Sequence, residues 1–315
     1  MRVVSWNMNH CMRSKPARKR AWDYLRDDLR ADLAIVQEAS PPEVFTSVYR
    51  PIDATNPRLA WGSAIVSLRP DLVLRARPRV PLAECYTKSV TGDQLPDSHP
   101  GACAVADVLD AKGRLRFTAV SLYGQWEAIA DGRIYSCARL HRMISDLTGV
   151  FATARRRPVV LAGDFNVTTQ IAYSRQTQAE TDGAAAVFTR LRAWSLSDCL
   201  GMTRSSRARL SECTCPDGDA CSHVQTFRLK NRADSRPTQL DYAFVSDTLV
   251  SKLARCEVVR GAAAWKLSDH CPLAASGEIG NQFSGGEVAS QLVAERGEGR
   301  SEEGAIRRGT GVCVT

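Results

Sequence analysis

Pro158-Val159-Val160-Leu161-Ala162-Gly163-Asp164-Phe165-Asn166 joins two signals in one short stretch. The apolar run from Pro158 to Ala162 has the length and composition of a buried strand. Gly163 closes it and is followed at once by a carboxylate and an amide. Ligand sites in α/β proteins collect at strand ends and in the loops after them. This stretch therefore points both to the kind of fold and to where its chemistry sits. Taken alone, Asp or Asn beside Gly is ordinary turn chemistry; it gains weight only if other strands end in the same way.

They do. A strand from Val3 to Met8 carries Trp6-Asn7-Met8-Asn9 at its end. Leu33 to Gln37 is followed by Glu38, Leu240 to Val245 contains Asp241-Tyr242, and Ser268-Asp269-His270 precedes a last strand beginning at Pro272. Ala60 to Leu68, with Gly62 inside it, is a further strand, and Ala102–Leu109 and Leu115–Leu122 flank a turn as a hairpin. Cys256 to Val259 is another late strand. Helices are expected from Pro16 to Arg30, where Trp22, Leu25 and Leu29 share a face, from Arg133 to Ala154, and from Ala184 to Ala193.

The whole-chain properties set limits. The chain has 315 residues, 44% of them hydrophobic, enough for one large α/β domain with its own core. A net charge of +8 favours anionic partners such as nucleic acid or phosphorylated molecules, although a basic soluble surface is equally consistent. The 11 cysteines are mostly single residues in apolar segments, which suggests a reducing compartment. No signal-peptide core or membrane-length apolar run is visible, so a cytoplasmic protein is expected. After Gly280 the composition turns to Gly, Glu, Arg and Ser, and 281–315 is expected to be a disordered tail behind a domain spanning 1–280. That tail carries four Arg and five Glu, so the basic character resides in the domain.

The polar strand ends form a coherent chemical set. Glu38 and Asp269 with the amide oxygen of Asn7 are hard donors suited to Mg²⁺ or Mn²⁺. Asp164 can orient and deprotonate a water, and Asn166 can position that water or a phosphate oxygen. His270 can donate to a phosphoryl oxygen, with Asp241 fixing its tautomer. Phosphoryl transfer needs little beyond such positioning and charge neutralisation.

These motifs, in this order, resemble those of the endonuclease/exonuclease/phosphatase superfamily, which includes exonuclease III and DNase-like enzymes. Ser5-Trp6-Asn7, Gln37-Glu38, Ser121-Leu122-Tyr123-Gly124, Gly163-Asp164-Phe165-Asn166, Leu240-Asp241-Tyr242 and Ser268-Asp269-His270 carry the resemblance, with Trp61 to Ser67 in support. It implies a four-layer α/β sandwich: two packed mixed β-sheets flanked by helices. It also implies a metal and water network of Asn7, Glu38 and Asp269, a water-activating Asp164 with Asn166, an Asp241–His270 pair at the scissile phosphate, and a phosphate contact from Tyr123. One departure stands out. Abasic-site endonucleases of this group follow the tyrosine with Val-Pro-Asn, whereas Gly124-Gln125-Trp126 stands here. Abasic DNA is accordingly disfavoured as the substrate, with Gln125 as a candidate replacement donor.

One cluster lies outside this pattern. Cys213, Cys215, Cys221 and His223 have the residue types of a structural zinc site, within an insertion near 205–237, or are a loop of reduced thiols or, in a different compartment, of a disulfide. Arg204, Arg207, Arg209, Arg228, Lys230, Arg232 and Arg236 surround it, and Trp126 and Phe227 add aromatics of the kind that follow a nucleic-acid backbone. The leading expectation is a metal-dependent nuclease acting on DNA or RNA. The alternatives are a phosphatase or phosphodiesterase of small-molecule or lipid phosphoesters using the same site, and a non-catalytic zinc-stabilised nucleic-acid-binding protein.

Overall fold

Strands covered on both faces need no polar alternation, and Gly62–Ser67, Cys103–Asp110 and Val159–Asp164 are each buried from end to end. The computed structural model describes residues 1–86, 94–128, 134–170, 177–203, 210, 213, 215, 221–233 and 235–280. Twelve strands build its two main sheets: β1 (Arg2–Asn7), β2 (Leu33–Ala39), β3 (Ser47–Pro51), β4 (Gly62–Ser67), β5 (Leu72–Ala76), β6 (Cys103–Asp110), β7 (Leu115–Tyr123), β8 (Val159–Asp164), β9 (Leu196–Asp198), β10 (Asp241–Ser246), β11 (Leu253–Val258) and β12 (Leu273–Gly277). One sheet has the order β11-β12-β1-β2-β4-β3 and the other β9-β10-β8-β7-β6-β5. Each sheet is mixed, with a single parallel pair at its centre, β1 with β2 and β8 with β7.

The three large cores among the described side chains define four layers. Between the sheets, Val3, Leu33 and Ile35 meet Ala106, Ala119 and Val160. On the outer face of the first sheet, Trp6, Val36 and Val66 pack on Trp22, Leu25 and Leu267. On the outer face of the second, Val105, Leu161 and Phe244 pack on Leu140, Ile144 and Leu191. The covering helices are α1 (Lys15–Asp23), α2 (Cys137–Asp146), α3 (Gln178–Ala193) and α4 (Ala262–Leu267). This is the four-layer α/β sandwich expected from the resemblance.

Several boundaries differ from the sequence expectations. The helix expected from Pro16 to Arg30 leaves α-geometry after Asp23 and widens into a π-turn over Tyr24–Asp28, closed by Leu29 N–H on the Tyr24 carbonyl at 2.9 Å. The long helix expected from Arg133 to Ala154 is instead α2 and a separate turn at Thr148–Phe151, with the break at Leu147. α3 begins at Gln178 rather than Ala184, because Thr177 and Glu180 form a capping box. The strand before Gly163 runs on through Gly163 to Asp164.

Met1–Gly280 forms one unit. The expected tail at 281–315 lies outside the described residues, as do Arg204, Arg207 and Arg209 of the expected insertion. Among the described residues, no helix is long and apolar enough to cross a membrane.

Candidate active site

Strand periodicity explains how the polar ends meet. Side chains two apart share a face. Val3 faces the core between the sheets, so Asn7 in the same strand does too. Ala119, Val160 and Ala243 face that core from the second sheet, so Tyr123, Asp164 and Asp241 follow them inward. The register then places these three side by side, since Asp164 pairs with Tyr123 on one flank and Asp241 on the other. Within the first sheet, which faces these three, Asn7 pairs with Gln37.

Glu38 breaks this parity. By alternation it belongs on the outer face, but the β2–β4 ladder shifts register between Val36 and Ala39, and Glu38 has φ 48°. The bulge turns its carboxylate inward, where Oε1 accepts from Tyr123 Oη at 2.7 Å and Asn7 Nδ2 at 3.1 Å. Asn9 and Asn166 are also left-handed, at φ 48° and 50°. Such conformations cost on the order of 1–3 kcal/mol each and gather at functional sites. Here three of the six non-glycine residues with positive φ among those described lie in one network: Glu38 and Asn9 each bond the Asn7 side chain, and Asn7 and Asn166 both donate to one carboxylate.

That carboxylate is Asp164, which has no exposed surface. Its Oδ2 accepts from Asn7 Nδ2 at 2.9 Å and Asn166 Nδ2 at 3.0 Å, and its Oδ1 accepts from the Asn166 backbone at 2.8 Å. His270 Nδ1 donates to Asp241 Oδ2 at 2.8 Å. Its other nitrogen, Nε2, stands 3.8 Å from Asp164 Oδ2, too long for a hydrogen bond, so Nε2 retains room for a further acceptor. Burial pushes the Asp164 carboxyl up to about 7, with the His270 charge pulling the other way and Asp241 adding to the rise. Burial disfavours the His270 imidazolium, but Asp241 and Asp164 outweigh it and raise its pKa to about 10. Tyr123 is held protonated by burial and by the charge of Glu38.

At the rim, Asp269 Oδ1 accepts from Asn9 Nδ2 at 2.8 Å, and Glu38 Oε2 accepts from the Cys11 thiol at 3.2 Å. Glu38, Asn9, Asn166 and Asp269 are all partly exposed, above a buried floor of Asn7, Asp164, Asp241 and His270. Glu38 and Asp269 offer carboxylate oxygens of the kind a hard divalent cation takes, so the donor chemistry here fits one. Asn7 is the residue expected to offer an amide oxygen to that cation. It points its amide nitrogen at Glu38 and Asp164, while its oxygen accepts from Asn9 N–H at 3.0 Å. To present an oxygen ligand, this amide would have to turn over.

Two glycines are required by close approach. A Cβ on Gly163 would lie 1.9 Å from the Leu122 carbonyl, and one on Gly124 would lie 2.1 Å from the Phe165 carbonyl. The second explains why glycine follows Tyr123. Gln125, the candidate replacement donor, has its side-chain oxygen engaged by Arg139. Trp126 is exposed. Phe227 is not available to stack on a base: it is buried, with its ring 4.8 Å from that of His270.

Sequence reasoning missed several supports. Ser268 Oγ donates to the Asn7 carbonyl at 2.8 Å and accepts from His270 N–H at 3.1 Å. Trp6 Nε1 donates to the His270 carbonyl at 2.9 Å. Thr226 Oγ1 accepts from the backbone of Leu240 at 3.0 Å and of Asp241 at 3.1 Å. Ser268 and Trp6 stand inside the recognised motifs, and only their supporting roles were not read. Thr226 and Cys11 had no such signal.

A model of the endonuclease/exonuclease/phosphatase family matches residues 4–270. The chain belongs to that family. Its fold is similar to an AP endonuclease from Archaeoglobus fulgidus (TM-score 0.58, 16% identity, 89% of this chain and 100% of that one). It is also similar to the catalytic domain of Xenopus laevis APE2 (0.59, 14%, 88% and 91%). A third similar structure is the 3′ phosphatase NExo from Neisseria, bound to a product DNA hairpin (0.54, 16%, 88% and 99%). No curated protein sequence matches the chain.

Proposed function

We propose that this family member is a Mg²⁺- or Mn²⁺-dependent nuclease that hydrolyses phosphodiester bonds of DNA or RNA with an activated water. The observation that carries the reading is the buried Asp164 carboxylate, held by two asparagine amides and facing the open nitrogen of a His270 already paired to Asp241. Asp164 takes the proton of the attacking water, which Asn166 helps to place. A base whose pKa lies near the working pH is the effective kind. His270, kept protonated by two carboxylates, donates from Nε2 to a phosphoryl oxygen as charge builds there. Tyr123 and Asn7 hold Glu38 in place. Glu38 and Asp269 would hold the cation, which supplies charge neutralisation at the phosphate.

A nucleic-acid substrate is supported by the basic chain and by the similar solved structures, one of them described with a DNA product. Arg139 and Arg142 bond to Gln125 and Glu127, which closely follow Tyr123 in the chain, and Trp126 between those two residues is exposed. Purified protein should be assayed on plasmid, single-stranded DNA, RNA and small phosphoesters, with Mg²⁺ and with EDTA. Cation-dependent cleavage of a nucleic acid is expected. Phosphate release from small esters alone, with every nucleic acid untouched, would overturn the nuclease reading in favour of a phosphatase.

A further inference from the structure

Cys213, Cys215, Cys221 and His223 converge although eleven residues of chain separate the first from the last inclusive. One ligand atom from each lies within 4.8 Å of the others, and all four residues are buried. The Cys221 and Cys213 sulfurs are 3.4 Å apart, far beyond the roughly 2.05 Å of a disulfide. His223 Nδ1 lies 3.6 Å from Cys213 Sγ and 3.4 Å from Cys221 Sγ. A tetrahedral zinc with Zn–S about 2.3 Å and Zn–N about 2.0–2.1 Å separates its donors by roughly 3.5–3.8 Å. The observed spacings are close to those edges.

The surroundings are those of a ligated site. With Nδ1 facing the sulfurs, the other ring nitrogen of His223 is 3.1 Å from Thr169 Oγ1, the kind of partner that fixes the tautomer of a metal-bound imidazole. Gln170 Nε2 donates to Cys213 Sγ at 3.4 Å, as expected beside a thiolate, and Gln170 Oε1 accepts from Gln239 N–H at 3.0 Å. Gln239 Oε1 in turn accepts from Val224 N–H at 2.9 Å. The cluster thus ties the chain that follows the Asp164–Asn166 turn to the chain that leads into β10.

We propose that Cys213, Cys215, Cys221 and His223 bind one structural Zn²⁺, separate from the cation of the candidate active site. Three thiols lose their protons to solvent on binding, His223 binds as the neutral imidazole, and the four protein donors leave no open coordination position.

The test is the zinc content of reduced, full-length protein, together with the absorption spectrum after exchange with Co²⁺. One zinc per chain and the visible bands of a tetrahedral cobalt–thiolate site are expected. Both should be lost in Cys215→Ser and Cys221→Ser. Thr169→Val should weaken zinc binding about tenfold or more. The cobalt spectrum is read on the unmutated chain, so it decides the matter even where a serine variant does not accumulate as folded protein. A reduced chain that holds no zinc and gives no thiolate-to-cobalt bands would overturn the proposal. So would zinc that persists undiminished in Cys221→Ser.

Discussion

Asp164, Asp241 and His270 place two carboxylates and one imidazole in a space with almost no solvent. The imidazolium balances one carboxylate, and the second remains a buried excess charge, which is costly. The raised Asp164 pKa expresses that cost. The folded state holds its proton up to about 7, whereas the ordinary value is 3.8. Between those values the folded chain binds more protons than the unfolded one, so stability falls as pH rises through this window. In EDTA, Asp164→Asn should therefore be more stable than the unmutated chain at pH 8 and show a flatter profile between pH 5 and 8. Thermal unfolding across that range checks it, and identical pH profiles would contradict the assignment. At this scale the sequence was legible where residue type alone restricts the chemistry: Asp164, Asp241, Asp269 and His270 were recognisable from their motifs. The orientation of the Asn7 amide and the thiol of Cys11 against Glu38 depend on who the neighbours are, and no local pattern records that.

Elements carry these residues to the site with different degrees of sequence control. The inner strands β1, β2, β7, β8 and β10 were visible as apolar runs because both faces are buried. Of the twelve strands in the two main sheets, the three not expected, β3, β5 and β9, all lie at sheet edges. β3 is half-buried along its length and β5 largely exposed, so neither shows a continuous apolar run. The bulge that brings Glu38 inward was likewise invisible, since alternation alone puts that residue outside. The start of α3, by contrast, was written in the sequence: Thr177 accepts from Glu180 N–H, and the Glu180 carboxylate accepts from Thr177 N–H. Thr177→Ala should cost about 1 kcal/mol, the usual worth of such a cap. Urea unfolding would read that loss, with hydrolytic activity in native buffer unchanged. A stability unaltered within error would show that the cap carries no weight here.

Across the whole molecule, the site exists because two sheets meet at the ends of their central strands. Beside it, Gln37 Nε2 of one sheet donates to Ser121 Oγ of the other at 3.0 Å, and Ser121 Oγ donates back to the Val36 carbonyl at 2.9 Å. Ser121→Ala would leave the buried Gln37 amide short of a partner, at a cost of about 1–3 kcal/mol. Its effect on cleavage rate should exceed that of Thr177→Ala, since it loosens the sheets where Asn7 and Tyr123 converge. The layered architecture was legible only through the resemblance, because strands apolar on both faces do not reveal which face meets the other sheet and which meets a helix. The claim on which everything turns is that Asp164 activates the attacking water. Single-turnover hydrolysis of the preferred nucleic acid in saturating Mg²⁺ tests it most directly by comparing the unmutated chain with Asp164→Asn. The account predicts a fall in rate of about 10²–10⁴-fold with the fold intact, and an Asp164→Asn variant that cleaves at the unmutated rate would contradict it.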